Sequence, residues 1–434
     1  MLPQHAIDPS HVRTPPGVLD VALYALVFVA VALVTRRRPA YGVAGLIAVV
    51  PFAFYRDLGH TTITLSKVAL LGAIAGLALR GAGIDALRRP AASRIGLAGL
   101  LVVAATALSI AHAEFAEPAL RETLKACEYV ALFATVVVAA RADPSERPIR
   151  IAFAASLALV ALLALAQELG GAPSGLWFAG HAIPRIAGPL EGPNQLAGYL
   201  GLALPVVVAF LLRSPTRFER AAFAVGSAAL VLTISRAGVA AGIVAIAIVA
   251  FRSPARGRRS TLTLGATGAL AGLALLAFWG FAATHSLAGF DLLGRFSTLA
   301  EVAQPGSVGD RSQLWAAALV LWHRHPVFGI GAGNFEFELA RAGFPGLRTH
   351  ANSLYLQALA EGGIVSFAAT LALVAVSIVS FARRSREPLV TAAFAASVGF
   401  ALHQVFDLLV FFPKVGELWW ILLGLAAARI DARE

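Results

Sequence analysis

The 434-residue chain has one cysteine, one methionine and few charges, with only 14% of its residues Asp, Glu, Lys or Arg. Cys127 alone cannot close an intramolecular disulfide, and no His, Cys and Asp cluster has the spacing of a structural metal site, so neither kind of staple is expected. Scarce charge also excludes an ordinary soluble fold. With 58% hydrophobic residues and a mean hydropathy of +0.77, the polar residues cannot cover the apolar surface. No removable leader is evident either. The first 16 residues are polar and contain Pro3, Pro9, Pro15 and Pro16, and the first apolar run has no small-residue cleavage site, so the first helix is expected to remain as an anchor.

What is present is a succession of apolar runs at about 18–34, 40–55, 62–79, 95–111, 122–140, 151–168, 194–212, 221–235, 237–251, 261–284, 352–382, 389–410 and 416–430. At roughly 20 residues per crossing, they predict an all-α, polytopic membrane protein of about 12–13 transmembrane helices forming one domain, 1–434. The net charge of +11 does not mark a nucleic-acid binder, because the basic residues sit in short clusters between apolar runs. Alternate connections hold Arg36 to Arg38; Arg80, Arg88, Arg89 and Arg94; Arg141, Arg147 and Arg150; Arg213, Arg217 and Arg220; Arg252, Arg256, Arg258 and Arg259; and Arg383, Arg384 and Arg386, with Arg429 and Arg433 at the end. Lys and Arg mark cytoplasmic connections. That orientation puts two segments outside: 169–193, rich in Gly and Pro, and the long loop 285–350.

The long loop holds His285, Asp291, Arg295, Glu301, Asp310, Arg311, Arg324, Glu336, Glu338, Arg341, Arg348 and His350. Loops of such length are usually functional. Its stretch 311–323, with Trp315, Leu319 and Trp322, suits a helix at the membrane surface. His350 stands where the loop re-enters the membrane; its imidazole has the proton affinity of a general base, or it caps a helix. Arg236 lies between two apolar runs almost without a loop, which marks either a functional site or a snorkelling side chain at a tight turn. Arg185, Arg295, Arg311 and Arg348 fall on the same side as Arg236. Such convergence suits an anionic ligand, since guanidinium binds phosphate oxygens bidentately. Gly329, Gly331 and Gly333 lack the βαβ context of a nucleotide loop and are read as a turn. His323 and His325 lack further ligands at metal spacing and are read as structural.

The stretch Arg185–Asn194, the run Ser235-Arg236-Ala-Gly238, Asp310-Arg311-Ser-Gln-Leu-Trp315, His325 to Phe335 and His350 to Gly363 together resemble the bacterial O-antigen ligase and O-antigen polymerase superfamily. The resemblance implies a metal-independent, cofactor-free C-type glycosyltransferase of the bacterial inner membrane, with its active site facing the periplasm. It would move a glycan from undecaprenyl diphosphate onto lipid A-core. By motif position Arg236, Arg311 and Arg185 would bind the diphosphate, with Asn352 and Asn194 in support. The family pattern usually reads His-Asn before the Leu-Tyr-Leu helix, whereas here position 351 is Ala and the histidine is His350, one residue early. A helical side chain turns by about 100° per residue. Either His350 is the base, or Ala351 replaces a catalytic histidine. An O-antigen polymerase or a protein O-oligosaccharyltransferase would differ in acceptor, and the rival of another class is a flippase or transporter for polyprenyl-linked sugars. Transporters often show internal repeats and midplane broken helices; no repeat is evident here, and the ionisable residues concentrate outside.

Overall fold

The computed structural model describes residues 17–52, 55–57, 62–169, 176–178, 181–183, 185–253, 308–382 and 387–431. The expected span 261–284, His285, Asp291, Arg295 and Glu301 of the long loop, and Arg256, Arg258, Arg259, Arg383, Arg384, Arg386 and Arg433 lie outside the described residues. Every other expected span coincides with a helix. In chain order these are Val18–Arg37 (α1), Pro39–Val49 (α2), Leu65–Leu79 (α3), Ile84–Ala91 (α4), Arg94–Ser109 (α5), Ala116–Ala142 (α6), Glu146–Leu169 (α7), Pro193–Arg213 (α8), Arg217–Leu232 (α9) and Arg236–Arg252 (α10). There follow Val308–Arg324 (α11), the single turn Phe335–Glu338 (α12), Leu354–Ala382 (α13), Pro388–His403 (α14) and Pro413–Asp431 (α15). The fold is all-α and polytopic, and among the described residues six helices are long and apolar enough to cross a membrane. Two small antiparallel hairpins, Arg56–Asp57 with Thr62–Ile63 and Leu176–Phe178 with His181–Ile183, decorate the connections.

The helices start where side chains satisfy the first free N–H groups. Thr64, Ser93, Ser235 and Glu387 each accept from the amide three residues on, and Thr216 forms a reciprocal box with Glu219. Proline opens α2, α8 and α14, where no amide is needed. Helix α8 is buried from Leu196 to Leu212 and is the centre of the bundle, packed by α7, α9, α10, α14 and α15. Helix α1 is at the other extreme, presenting Leu26, Val29 and Leu33 outward as a lipid-facing helix does.

Polar contacts divide the molecule into two ends. At one, Arg80 donates to Arg36 O, Arg213 to Glu146, Arg429 to Pro144 O and Arg252 to Ala382 O, while Arg150 pairs with Glu219 and Ser214. The basic connections therefore gather on one side. At the opposite end Lys414 pairs with Glu191 (3.3 Å) and donates to Pro189 O (2.6 Å), and Tyr55 donates to Glu191 (2.8 Å). The outer stretch 311–323 is helical, within α11.

Candidate functional site

Two constellations occupy the end opposite the basic connections. The first is built on the turn between α9 and α10. Ile234 adopts φ +51°, a left-handed conformation unusual for a β-branched residue. The turn is held because Thr233 Oγ1 donates to Leu230 O (2.7 Å) and accepts from Ser235 N (3.2 Å). Arg185, nearly buried, clamps it from outside: its Nε donates to Thr233 O (2.7 Å) and its Nη2 to Asn194 Oδ1 (2.9 Å). Arg185 and Asn194 thus tie the outer segment to this turn.

The turn sets Arg236 at the first position of α10, where free amides and the helix dipole already carry positive potential. Among the described residues Arg236 has no hydrogen-bond or ion-pair partner. A partly buried cation at a positive helix end is unfavourable alone and favourable with an anion between the two.

Gly238, in the first turn of α10, lets α8 and α14 come close. A Cβ there would stand 2.5 Å from Ala197 and 3.0 Å from His403 Cε1. His403 ends α14, and its Nε2, Gln404 Nε2 and Asp407 Oδ2 are all buried without a hydrogen-bond partner among the described residues. Three orphaned polar atoms within five residues are exceptional, since buried polar groups are nearly always paired. Arg311 approaches this cluster from α11, within electrostatic reach of His403. On the same helix face, one turn later, Trp315 packs against Phe406 with ring centroids 6.0 Å apart. Leu354 N donates to Gln404 O (2.9 Å) and Asp407 O (3.0 Å), which fastens the start of α13 to the cluster and sets Asn352, at φ +50°, beside it.

The second constellation surrounds His350. Its ring lies 4.1 Å from that of Phe411 and 6.2 Å from that of Phe412. Burial there pushes the imidazole pKa down to about 4, and the charge of Lys125 adds to the shift. Lys125 lies over the same Phe411 ring (4.6 Å) and donates to Glu122 (2.7 Å) and Phe411 O (3.0 Å). Ala351 points elsewhere. It is fully buried in a small apolar cluster with Leu314, Leu321, Ile330 and Phe335, and its N–H donates to Gln357 Oε1 (2.8 Å).

The other described candidates are engaged by contacts within the fold. Gly329 and Gly331 take positive φ in a loop that clips onto the break in α13 at Gly363: Ile330 N and Gly331 N donate to Ala360 O and Glu361 O, and Ile364 N to Pro326 O. Glu361 accepts from Phe335 N (3.1 Å) and Gln357 Nε2 (2.7 Å) and anchors that loop. His323 bonds to Leu319 O through Nδ1, and His325 stacks on His112 at 5.3 Å. A polar cleft of about 350 Å³ adjoins His325, but its Arg324 and Arg341 both pair with Glu338, and Arg341 also with Glu114. Arg348 lies over the Phe337 ring (4.3 Å).

The structure brings Arg185, Asn194 and Arg236 together at one turn and Arg311 to His403; His350 joins a different set, at Phe411. Sequence reading missed His403, Gln404 and Asp407, which the apolar segment 389–410 absorbed. The signal was there: two ionisable residues four apart at the end of an apolar run. No curated protein matches the chain. Residues 221–371 match the model of the O-antigen ligase family. That match spans α9 to the middle of α13, including Arg236, Arg311 and His350, and supports O-antigen ligase or polymerase type function. Over residues 221–371, about a third of its length, the chain is therefore similar to the O-antigen ligase family.

Proposed function

We propose that the protein transfers a glycan from undecaprenyl diphosphate to the lipid A-core acceptor, at the periplasmic face of the inner membrane and with inversion at the anomeric carbon. The observation that carries this reading is Arg236 at the α10 N-terminus, without a hydrogen-bond or ion-pair partner among the described residues, on the turn whose Gly238 packs against His403, with Arg311 within electrostatic reach of His403 and the buried unpaired atoms of Gln404 and Asp407 close by in sequence. Arg236, Arg311 and the α10 amides hold the diphosphate, and Arg185 positions the turn by its bonds to Thr233 and Asn194. His350 is the base, and Asn352 orients the segment between it and α13. Ala351 is not the base position, because a side chain there meets the apolar cluster.

In the reaction the His350 imidazole takes the proton of the acceptor hydroxyl. The hydroxyl oxygen bonds to the anomeric carbon as the carbon–oxygen bond to the diphosphate breaks. The electron pair leaves on the diphosphate, whose growing charge the two guanidiniums meet with fixed hydrogen-bond donors. A weak base suffices, because an oxocarbenium-like centre acidifies the hydroxyl as the bond forms.

The test is transfer in vitro, in EDTA, from undecaprenyl diphosphate-linked glycan to lipid A-core, comparing the protein with Arg236→Ala, Arg311→Ala, His350→Ala and Ala351→His. Normal transfer by both arginine variants would sink the diphosphate clamp. Transfer only in the Ala351→His form would move the base to position 351. Chain extension of the donor glycan with no transfer to lipid A-core would make the protein a polymerase.

A further inference from the structure

The polar cleft of about 350 Å³ lies, among the described residues, between the connection that precedes α6 and the stretch 324–341. Its two walls are tied together. Asn334, fully buried, accepts from Phe115 N (2.9 Å) and donates to Phe115 O (3.0 Å), and Ala332 N donates to Ser109 Oγ (3.0 Å). A site at the lower end of the usual size range for small-ligand pockets is thus built by the fold itself. Two carboxylates and two guanidiniums line it, and their charges cancel. Glu338 takes Arg324 on one oxygen (3.0 Å) and Arg341 on the other (2.6 Å), and Arg341 also pairs with Glu114. No net charge is left over. A guanidinium carries five N–H donors, and both arginines make these bonds through Nη1, so Nε and Nη2 of each have no partner among the described residues. His112 and His325 line the same cleft with stacked rings 5.3 Å apart, and their ring nitrogens make no hydrogen bond among the described residues.

Spare directional donors on a charge-balanced polar wall suit hydroxyl groups. An anion would have to displace Glu338 or Glu114 from the arginines, and a cation would have to displace an arginine from the carboxylates. We propose that the cleft is a saccharide subsite, which holds an uncharged sugar unit at a distance from the reaction centre. Helix α6 starts at Ala116, directly after the cleft, and runs toward the basic connection at Arg141. Lys125, which shares the Phe411 ring with His350, comes nine residues into α6, about 13 Å further in. A saccharide with its reacting end at His350 therefore meets the cleft with units further along its own chain. That placement rests on the glycosyl-transfer reading above. The donor glycan and the core of the acceptor present the same hydroxyl chemistry, and the test separates them.

The test uses the full-length protein in lipid nanodiscs and saturation-transfer NMR with two soluble saccharides, the O-chain and the core oligosaccharide that mild acid releases from the lipopolysaccharide of the bacterium that makes the protein. At least one should receive saturation, and inorganic phosphate should not displace it. His112→Ala and Glu114→Gln, both at exposed positions, should each weaken that binding about three- to tenfold, the loss of one or two hydrogen bonds; size-exclusion elution checks their folding. In the transfer assay the same variants should raise one KM by a similar factor and leave kcat unchanged, since a contact remote from the reacting atoms is equal in ground and transition states. A raised donor KM assigns the cleft to the donor glycan, and a raised acceptor KM assigns it to the core. Saturation of neither saccharide, or binding that is unchanged in both well-folded variants, overturns the subsite and leaves a hydrated ion-pair network. Displacement by phosphate overturns it in favour of an anion site, and a lowered kcat with both KM values unmoved overturns it in favour of a structural role. Absence of transfer by the unaltered protein overturns the glycosyl-transfer reading, and the NMR result still decides whether the cleft takes a saccharide.

Discussion

The surroundings of His350 set the pH range in which a base at this position works. The ordinary imidazole is half protonated near pH 6.5, but the ring packed on Phe411 beside Lys125 holds its neutral form down to about pH 4. At pH 5.5 about 97% of a group with a pKa of 4 is neutral, against about 9% at a pKa of 6.5, a tenfold difference in available base. The kcat/KM for glycan transfer should therefore stay flat from pH 7.5 to 5.5 and fall only near pH 4. Phe411→Ala, which opens the ring to water, should move the fall toward 6.5, so that this variant alone loses up to about tenfold between pH 7.5 and 5.5. Lys125→Gln should move it in the same direction by less, since burial is the larger cause. Comparing each variant with itself across pH cancels any change in absolute rate. The sign for stability follows from the same shift. Above pH 6.5 both folded and unfolded chains carry a neutral His350, and as pH falls from 6.5 to 4 the unfolded chain alone takes up the proton, so stability is lost through that window. An acid limb near 6.5 in the unaltered protein, unmoved by Phe411→Ala, would refute His350 as the base.

Other perturbations separate chemistry from support. Arg236→Ala should cost about 10²–10³ in kcat, the range for one oxyanion donor, without changing thermal stability, and Arg236→Lys should recover only part because it cannot bind bidentately. Arg185→Ala, by contrast, should show first in stability: losing the bonds to Thr233 O and Asn194 costs about 1.5–3 kcal/mol, read as earlier heat-induced loss of the monodisperse peak. A normal melting profile with lost transfer would instead place Arg185 on the substrate. Lys414→Ala leaves the Glu191 carboxylate without its cation and should destabilise by about 3–5 kcal/mol, with Lys414→Ala/Glu191→Gln restoring most of it. No recovery in the double variant would mean that Lys414 acts through its bond to Pro189 O.

The spans were legible because each apolar run is a property of neighbouring residues, and the caps at Thr64, Ser93, Thr216 and Ser235 mark their starts in the same local language. The hydropathy average that finds a span also conceals what a span contains. Between Phe400 and Phe412 the run counts as apolar, and the buried His403 and Asp407 vanish into it although His403 packs at Gly238 of α10 and lies within the field of Arg311. The sequence left positions 350 and 351 open for a different reason. A rotation of 100° per residue holds within a helix, but 350–353 precede α13 and include the left-handed Asn352, so their directions follow loop geometry. The segment is pinned by Leu354 N on Gln404 O and Asp407 O and by the His350 ring on Phe411. These partners lie some fifty to sixty residues further along the chain, beyond any local pattern. The same pins separate the two halves of the proposed reaction. With α13 fastened to 404–407, His350 packs on Phe411 while Arg311 acts on His403, so the proposed reading sets base and phosphate clamp on two sides of the segment that holds Asn352 and expects the reacting carbon between them.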